Sequence, residues 1–277
     1  NLKNINFLSY FNDKLFCFAP SGFYSLDLND NSISKNFSSL NVKNLSFTSS
    51  IIAGNTLVLA SKNGEIEIFS NGEKFIIDLN SPGENILIYS MSIYDKTLFV
   101  SSNLGLINVS LELNIVKEKY HYFGEKREKL IPKKSYVIDN KLFIITENGI
   151  YYYEFGNGNP LDFNYWKKIS IESHKLIGIY SLNDSYYFYS DNSVFSKDLE
   201  SVFTTSENKL INIKTYGNNI YVLYEELQAD KMKIGVLVNN KLLTLDFSEN
   251  LTSINDFIEV KGHLWIAGNE YSIYNSS

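Results

Sequence analysis

Short apolar runs alternate with polar turns along most of the chain. The clearest example spans residues 139–155, where a polar turn at 139–141 precedes the apolar run 142–145. A second turn, 147–149, contains glycine and precedes another apolar run, 150–155. Two short apolar runs joined by such a turn predict an antiparallel β-hairpin.

Weaker copies of this hairpin recur at a nearly constant spacing. The first apolar residue after the first turn occurs at Leu15, Leu57, Leu98, Leu142, Tyr186, Ile220 and Leu264. The successive spacings are 42, 41, 44, 44, 34 and 44 residues. A period near 40 residues is typical of the four-stranded blade of a β-propeller. The sequence therefore predicts an all-β, seven-bladed β-propeller with four-stranded antiparallel blades.

Two further columns of residues support this repeat. The second turn of the first four copies contains Gly22, Gly64, Gly105 and Gly149, where a tight turn needs positive φ. A small hydroxyl residue also precedes six of the anchors: Ser9, Ser50, Ser92, Ser135, Ser181 and Thr215. Small residues fit the innermost strand, where blades converge on the axis. The sixth copy departs most, since the charged segment 225–233 replaces its second turn and predicts a longer loop or an extended hairpin.

Closure of the ring is expected to involve the N-terminus. The seventh copy has no segment for an outer strand after residue 274, so a strand at residues 2–5 would complete it. An unclosed ring would leave two open sheet edges. Residues 1–277 are expected to form one propeller domain, as a segment of a larger protein. A six- or eight-bladed ring, a β-sandwich and a β-helix are the alternatives, and the regular period disfavours the last two.

Composition narrows the class of protein. A hydrophobic content of 44% supports a core, and 15% aromatic residues favour pleated, half-buried surfaces. The net charge of −6 argues against general binding to nucleic acids or anionic membranes. The single cysteine, Cys17, excludes an internal disulfide, and no apolar stretch reaches the roughly 18–20 residues of a membrane span.

The sequence shows no catalytic motif. Its three histidines, His121, His174 and His263, lie in different repeats without a second histidine or cysteine at ligand spacing. Nucleophile elbows, glycine-rich phosphate loops and zinc-binding helices are also missing. We therefore expect no enzyme activity, cofactor or metal, although a carboxylate pair assembled across blades would not be visible in the sequence.

One segment has a local excess of positive charge. Residues 117–134 contain seven lysine or arginine residues and three glutamates, interleaved with aromatic residues. This pattern predicts contact with an anionic glycan or an acidic partner. An outer strand followed by a solvated loop is the alternative. The candidate partner- or anion-binding residues are Lys126, Arg127, Lys129, Lys133 and Lys134.

Two stretches carry a family resemblance. Residues 262–268 (Gly-His-Leu-Trp-Ile-Ala-Gly) and 140–151 resemble the two-component-regulator propeller repeat. The segment 147–151, continuing to 159–169, resembles the N-terminal propeller of the PorZ family of the Bacteroidetes type IX secretion system. Signatures of WD repeats, sialidases and quinoprotein dehydrogenases are missing.

The resemblance implies a non-enzymatic component of the outer-membrane surface. PorZ-type proteins act in an attachment complex with a sortase and help to supply anionic lipopolysaccharide to it, although no specific binding residue carries over. Our leading hypothesis is a non-catalytic protein- or glycan-interaction propeller in such an assembly, on the outer-membrane surface or in the periplasm. The alternatives are a periplasmic ligand-sensing propeller of a hybrid two-component regulator and a glycan-active enzyme with an axial site.

Overall fold

A computed structural model describes residues 4–19, 22–29, 33–34, 47–80, 82–172, 174–245, 253–269 and 274–276. These residues form antiparallel β-strands and one short 3-10 helix. The first three sheets are β1 (Phe7–Phe11), β2 (Lys14–Ala19), β3 (Gly22–Asp27) and β4 (Ile33–Ser34); β5 (Phe47–Ala53), β6 (Thr56–Ser61), β7 (Glu65–Ser70) and β8 (Glu73–Asp78); and β9 (Ile88–Tyr94), β10 (Thr97–Ser102), β11 (Gly105–Ser110) and β12 (Ile115–Tyr120).

A separate two-stranded hairpin follows, formed by β13 (Tyr122–Phe123) and β14 (Glu128–Lys129). The next three sheets are β15 (Lys134–Ile138), β16 (Lys141–Thr146), β17 (Gly149–Glu154) and β18 (Lys167–Ile169); β19 (Gly178–Leu182), β20 (Ser185–Tyr189), β21 (Ser193–Ser196) and β22 (Ser201–Thr204); and β23 (Asn208–Tyr216), β24 (Asn219–Glu226), β25 (Lys231–Val238) and β26 (Lys241–Thr244). The last sheet is β27 (Ile254–Val260), β28 (His263–Gly268) and β29 (Tyr274–Ser276).

The first strands of the sheets surround the propeller axis. Contacts join β1 with β5, β5 with β9, β9 with β15, β15 with β19, β19 with β23, and β27 with β1. All six hydroxyl residues of the repeat lie on first strands, so their predicted place on the innermost strand is confirmed. The four predicted turn glycines have positive φ, between 79° and 141°, which is also as predicted. The charged segment 225–233 forms the extended hairpin of β24 and β25.

The prediction of seven four-stranded blades is wrong. Within the described residues, the structure shows six four-stranded blades, and the seventh repeat supplies a three-stranded sheet. Asn4 and Ile5 lie against that sheet without joining it as a strand: the Asn4 amide donates to Asn269 O at 3.3 Å, and Asn255 Nδ2 donates to Ile5 O at 2.8 Å. Asn4 has a φ of 58°, a left-handed conformation that interrupts extended backbone. Residues 2 and 3 of the predicted strand lie outside the described residues.

The core is divided into apolar clusters that each join two neighbouring sheets. In β16, Leu142 and Ile144 belong to the cluster shared with the third blade. Phe143 and Ile145 belong to the cluster shared with the fifth blade. Successive side chains of a strand point to opposite faces, so a strand packed between two blades must be apolar at every position. The unbroken apolar runs that define the repeat are explained by this double burial.

Among the described residues, no helix has the length and hydrophobicity of a membrane span.

Candidate functional site

The basic segment 117–134 is divided between different parts of the fold. Its first residues belong to β12, its centre forms the β13–β14 hairpin, and its last residue begins β15. We call the β13–β14 unit, residues 122–129, the outer hairpin. Tyr122 pairs with Lys129 and Phe123 with Glu128 in its two-residue strands. The Arg127 amide closes the turn by donating to Gly124 O at 2.8 Å.

The outer hairpin is fixed to the third and fourth blades by buried aromatic side chains. Phe123 is fully buried, and its ring meets the edge of the Trp166 ring at 4.9 Å between centroids. Trp166 is also fully buried, and its Nε1 donates to Pro160 O at 2.8 Å. The 3-10 helix Phe163–Tyr165 directly precedes Trp166 and is capped by Asp162, which accepts from the Asn164 amide. The exposed basic side chains therefore extend from a rigid support.

Arg127 is oriented by aromatic rings. Its guanidinium lies 4.9 Å from the centre of the Tyr122 ring and 5.6 Å from that of Phe163. A cation over an aromatic face is attracted by the ring quadrupole, by about 0.5–1 kcal/mol at an exposed site. Lys126, Arg127 and Lys129 are exposed, and no ion pair involves them in the described part of the chain.

A hollow of about 320 Å³ lies beside the outer hairpin. Its lining includes Lys126, Lys168 and Trp166, together with the Tyr151 ring. The Tyr151 hydroxyl donates to the Glu128 carboxylate, and burial followed by this hydrogen bond raises the pKa of Tyr151 well above its usual value. Tyr151 therefore stays protonated and acts as a neutral donor.

The other two candidate residues lie away from the outer hairpin. Lys133 Nζ lies 4.3 Å from the centre of the Tyr89 ring. Lys134 is the first residue of β15 and lines a cavity at the propeller axis. The structure thus groups Lys126, Arg127 and Lys129 on the outer hairpin and separates them from Lys133 and Lys134.

We call the space between strands β5, β9, β15 and β23 the axial cavity. It has a volume of about 650 Å³ and is lined by residues 49–53, 89–93, 134–137 and 212–214. Lys214 enters it from β23 and pairs with Asp256 Oδ1 at 2.5 Å, while also donating to Phe257 O at 2.8 Å. Burial, and to a lesser extent the charge of Lys214, lowers the pKa of Lys134 below the usual lysine value.

Sequence reasoning missed Lys214, although a signal for it exists. Lys134 directly precedes Ser135, and Lys214 directly precedes Thr215, so both lysines stand one residue before the hydroxyl residue of their repeats. Both lysines lie on innermost strands, although at different registers: Lys134 pairs with Ile145, and Lys214 pairs with Tyr221. Aligning the repeats by the hydroxyl column would have paired the two lysines.

The three histidines lie in different repeats of the fold. His121 follows β12, His174 forms an isolated bridge with Ile171, and His263 begins β28. Among the described residues, no group of three or more histidine, cysteine, aspartate or glutamate side chains could hold a metal ion.

No known protein family's sequence profile matches this chain, and the curated proteins include no match. Solved structures do resemble its fold. One is PorZ, described as an essential surface component of the type IX secretion system of Porphyromonas gingivalis, with TM-score 0.69 and 14% identity over 99% of this chain. Another is the extracellular domain of the putative one-component system BT4673 from B. thetaiotaomicron, with TM-score 0.70 and 15% identity over 99% of this chain.

The chain spans 37% of the length of the PorZ structure and 38% of that of BT4673. A third similar structure is virginiamycin B lyase from Staphylococcus aureus, with TM-score 0.72 and 14% identity, covering 99% of this chain and 94% of the lyase. At such identities the likeness shows a propeller fold alone. The similar proteins include both an enzyme and extracellular or surface domains.

Proposed function

We propose that this chain is a non-catalytic binding propeller of the cell envelope whose outer hairpin contacts an anionic partner. The observation that carries the proposal is the grouping of Lys126, Arg127 and Lys129 on one rigid support. Their charges are exposed and without ion-pair partners in the described residues. A binding surface on an anchored hairpin loses less conformational entropy on binding than one on a mobile loop, which favours recognition.

The rest of the molecule makes this hairpin selective. The net charge is −6, so an anionic partner is repelled by most of the surface and attracted at the hairpin. Charge complementarity of this kind mainly orients the encounter and raises the association rate, and it weakens with salt. A single basic element on an acidic protein therefore supports one docking orientation.

The partner we propose belongs to a secretion or attachment assembly of the cell surface. The similarity to PorZ supports this choice, because that protein is described as a surface component of a secretion system. A sortase-type protein with an acidic surface and an anionic lipopolysaccharide both offer the required charge.

The test is a charge reversal of the hairpin in the intact protein. The variant Lys126→Glu, Arg127→Glu, Lys129→Glu is compared with a matched control, Lys62→Glu, Lys175→Glu, Lys197→Glu, which changes the net charge equally at exposed sites elsewhere. Each protein is used to capture partners from the native envelope and to bind purified anionic lipopolysaccharide. Both variants should keep the circular dichroism spectrum of the wild type.

We expect the hairpin variant to lose binding by at least about tenfold, since each buried charge-assisted contact contributes roughly 1.5–3 kcal/mol. The control should bind like the wild type, and binding by the wild type should weaken with salt. The two assays separate a protein partner from a lipopolysaccharide. Equal binding by the hairpin variant and the control would contradict the proposal.

The BT4673 extracellular domain, in a second structure described as part of a putative hybrid two-component system, favours a second candidate, the ligand-sensing propeller of a two-component regulator. A membrane span and kinase module encoded downstream of residue 277 would support it over the first.

The third class, a glycan-active enzyme, has less support, because glycoside hydrolysis usually needs a carboxylate pair. The axial cavity presents lysines and hydroxyls along its described lining, with no aspartate or glutamate.

A further inference from the structure

The axial cavity is a second polar site, separate from the outer hairpin. Its described lining includes five serines, contributed by three blades: Ser49, Ser50, Ser90, Ser92 and Ser135. The Ser135 amide donates to Ser90 Oγ at 2.9 Å, and Ser92 Oγ donates to Ser135 Oγ at 3.0 Å. These bonds join β9 to β15 and hold the hydroxyls of two blades in fixed positions. The wall of the cavity is therefore preorganised.

Two lysines from different blades, Lys134 and Lys214, line this cavity. Lys214 is compensated by Asp256, whose carboxylate lies behind it on β27. Lys134 has no hydrogen bond from its ammonium group and no ion pair within the described parts of the chain. Its side chain is half-buried, and burial lowers its pKa below the usual lysine value. The described lining thus combines a lysine without an ion-pair partner with serine hydroxyls and apolar side chains.

An unpaired, partly desolvated charge costs folding free energy unless a ligand compensates it. The cavity volume of about 650 Å³ falls within the range of small-molecule sites, roughly 300–1,000 Å³. Serine hydroxyls both donate and accept, so they suit a ligand that carries hydroxyl groups of its own.

We propose that the axial cavity binds a small anionic polyol, a sugar-sized molecule with a carboxylate or phosphate group that pairs with Lys134. The serines of β5 and β9 contact the hydroxyl groups of the ligand, and Lys214 adds a second, weaker attraction. This site goes beyond the proposed function, because it uses none of the hairpin residues. It explains why a lysine stands on an innermost strand, where small residues otherwise fit.

The lowered pKa of Lys134 agrees with this geometry. Burial and the nearby Lys214 disfavour the charged form in the empty cavity, and an anion bound beside the ammonium would relieve both effects.

The test measures binding by isothermal titration calorimetry with four probes: galacturonate, glucose 6-phosphate, inorganic phosphate and glucose. The wild type is compared with Lys134→Met, which removes the charge and keeps most of the side-chain volume, and with Lys134→Arg, which retains the charge. Lys62→Met, at an exposed site, controls for loss of one positive charge. The thermal unfolding of each variant confirms that it is folded.

We expect galacturonate or glucose 6-phosphate to bind the wild type at least about tenfold more tightly than glucose. Lys134→Met should weaken that binding by about tenfold or more, the size expected for a hydrogen bond to a charged group. Lys134→Arg and Lys62→Met should bind within severalfold of the wild type. The preferred probe distinguishes a carboxylate from a phosphate ligand, and inorganic phosphate shows whether the hydroxyl groups contribute.

Three results would overturn the proposal: no anionic sugar binds the wild type at millimolar concentration, glucose binds equally well, or Lys134→Met binds like the wild type. The charge-reversed hairpin variant should retain this binding. Loss of the envelope partner and loss of the small anion are therefore separate outcomes, and either proposal can fail alone.

Discussion

Lys133 and Lys134 are adjacent in the sequence, yet their side chains lie in different environments. Lys133 packs on the Tyr89 ring, while Lys134 begins β15 and enters the axial cavity. The sequence shows an excess of positively charged residues in this segment, and the structure distributes them among different elements. The sequence could not predict which side chain turns inward, because that depends on where β15 begins. In the sequence, Lys134 shares with Lys214 the position directly before the hydroxyl residue of its repeat.

Lys134→Met should stabilise the protein at neutral pH. The pKa of Lys134 is lowered by folding, so the unfolded chain binds more protons, and its charge opposes folding at pH values below that lowered pKa. We expect a gain of roughly 1 kcal/mol, a common size for one substitution. This corresponds to a rise in Tm of roughly 2–4 °C for a domain of this size.

The pH dependence provides the check on this explanation. The stability difference between Lys134→Met and the wild type should be constant at low pH and shrink as the pH rises towards 10.5, the ordinary lysine pKa. Both proteins contain the same tyrosines, including Tyr136, whose pKa is raised by burial, so the difference isolates Lys134. Denaturant unfolding from pH 7 to 10.5 measures it. A difference that does not change with pH would contradict the electrostatic origin.

Among the secondary-structure elements, the central hairpins of the blades could be predicted from the sequence. The outer hairpin between the third and fourth blades could not. Strands β2 and β3, and their counterparts, follow from apolar runs and turn residues that lie close together in the sequence. The outer hairpin has strands of only two residues, which give no periodic signal. Its position depends on Phe123 and Trp166, whose contact spans more than forty residues of chain. Distant packing, not local pattern, creates this candidate site.

The turn glycines differ in what surrounds them, and Gly105 should be less replaceable than Gly54. A Cβ at Gly105 would lie 2.2 Å from Tyr120 O on the neighbouring strand, and φ is 117°. Gly54 also has positive φ, 56°, but no atom lies within 4 Å of its Cβ position. We expect Gly105→Ala to cost about 1–3 kcal/mol more than Gly54→Ala, because only the former must displace backbone. Urea denaturation measures both, and equal losses would contradict the steric argument.

Trp166→Ala should weaken both folding and partner binding. Removal of a fully buried tryptophan typically costs about 3–5 kcal/mol and here leaves Phe123 without its aromatic neighbour. The outer hairpin would lose its support, so its binding should fall even though Lys126, Arg127 and Lys129 are intact. Tyr165→Ala, at an exposed neighbouring position, is the control and should change stability little. Normal partner binding by folded Trp166→Ala would show that the hairpin needs no such support.

For the whole molecule, the count of sequence repeats predicts the type of fold but not the number of complete blades. The propeller and its four-stranded blades follow from the period, because each blade must bury the same two faces. The number of complete blades does not follow, since an anchor marks a hairpin and a hairpin requires only two strands. The seventh hairpin is present as β27 and β28, but Asn4 turns into left-handed backbone where a fourth strand was expected. The function cannot be inferred from the overall fold, because similar folds occur in a lyase and in a surface protein.

One carboxylate links the last sheet to both the first and the sixth blade. Asp256, on β27, accepts from the Leu8 amide of β1 at 2.9 Å and pairs with Lys214 of β23 at 2.5 Å. Three sheets therefore meet at a single side chain that is only 12% exposed. Asp256→Ala would leave the Leu8 amide and the Lys214 ammonium without these partners. We expect a loss of roughly 2–4 kcal/mol, since an unsatisfied buried group costs about 1–3 kcal/mol and an unpaired charge costs more.

Two variants separate closure of the ring from ion pairing in general. Asp256→Asn keeps an oxygen for the Leu8 amide and removes the charge, so its stability should lie between those of the wild type and Asp256→Ala. Glu112→Ala breaks the Lys96–Glu112 pair, in which both side chains are at least 60% exposed, and should leave the unfolding free energy almost unchanged. Thermal unfolding of the three variants supplies the comparison. If Asp256→Ala unfolded no earlier than Glu112→Ala, apolar packing of Ile5 and Leu8 against Trp265 would be sufficient to hold the first blade to the last sheet.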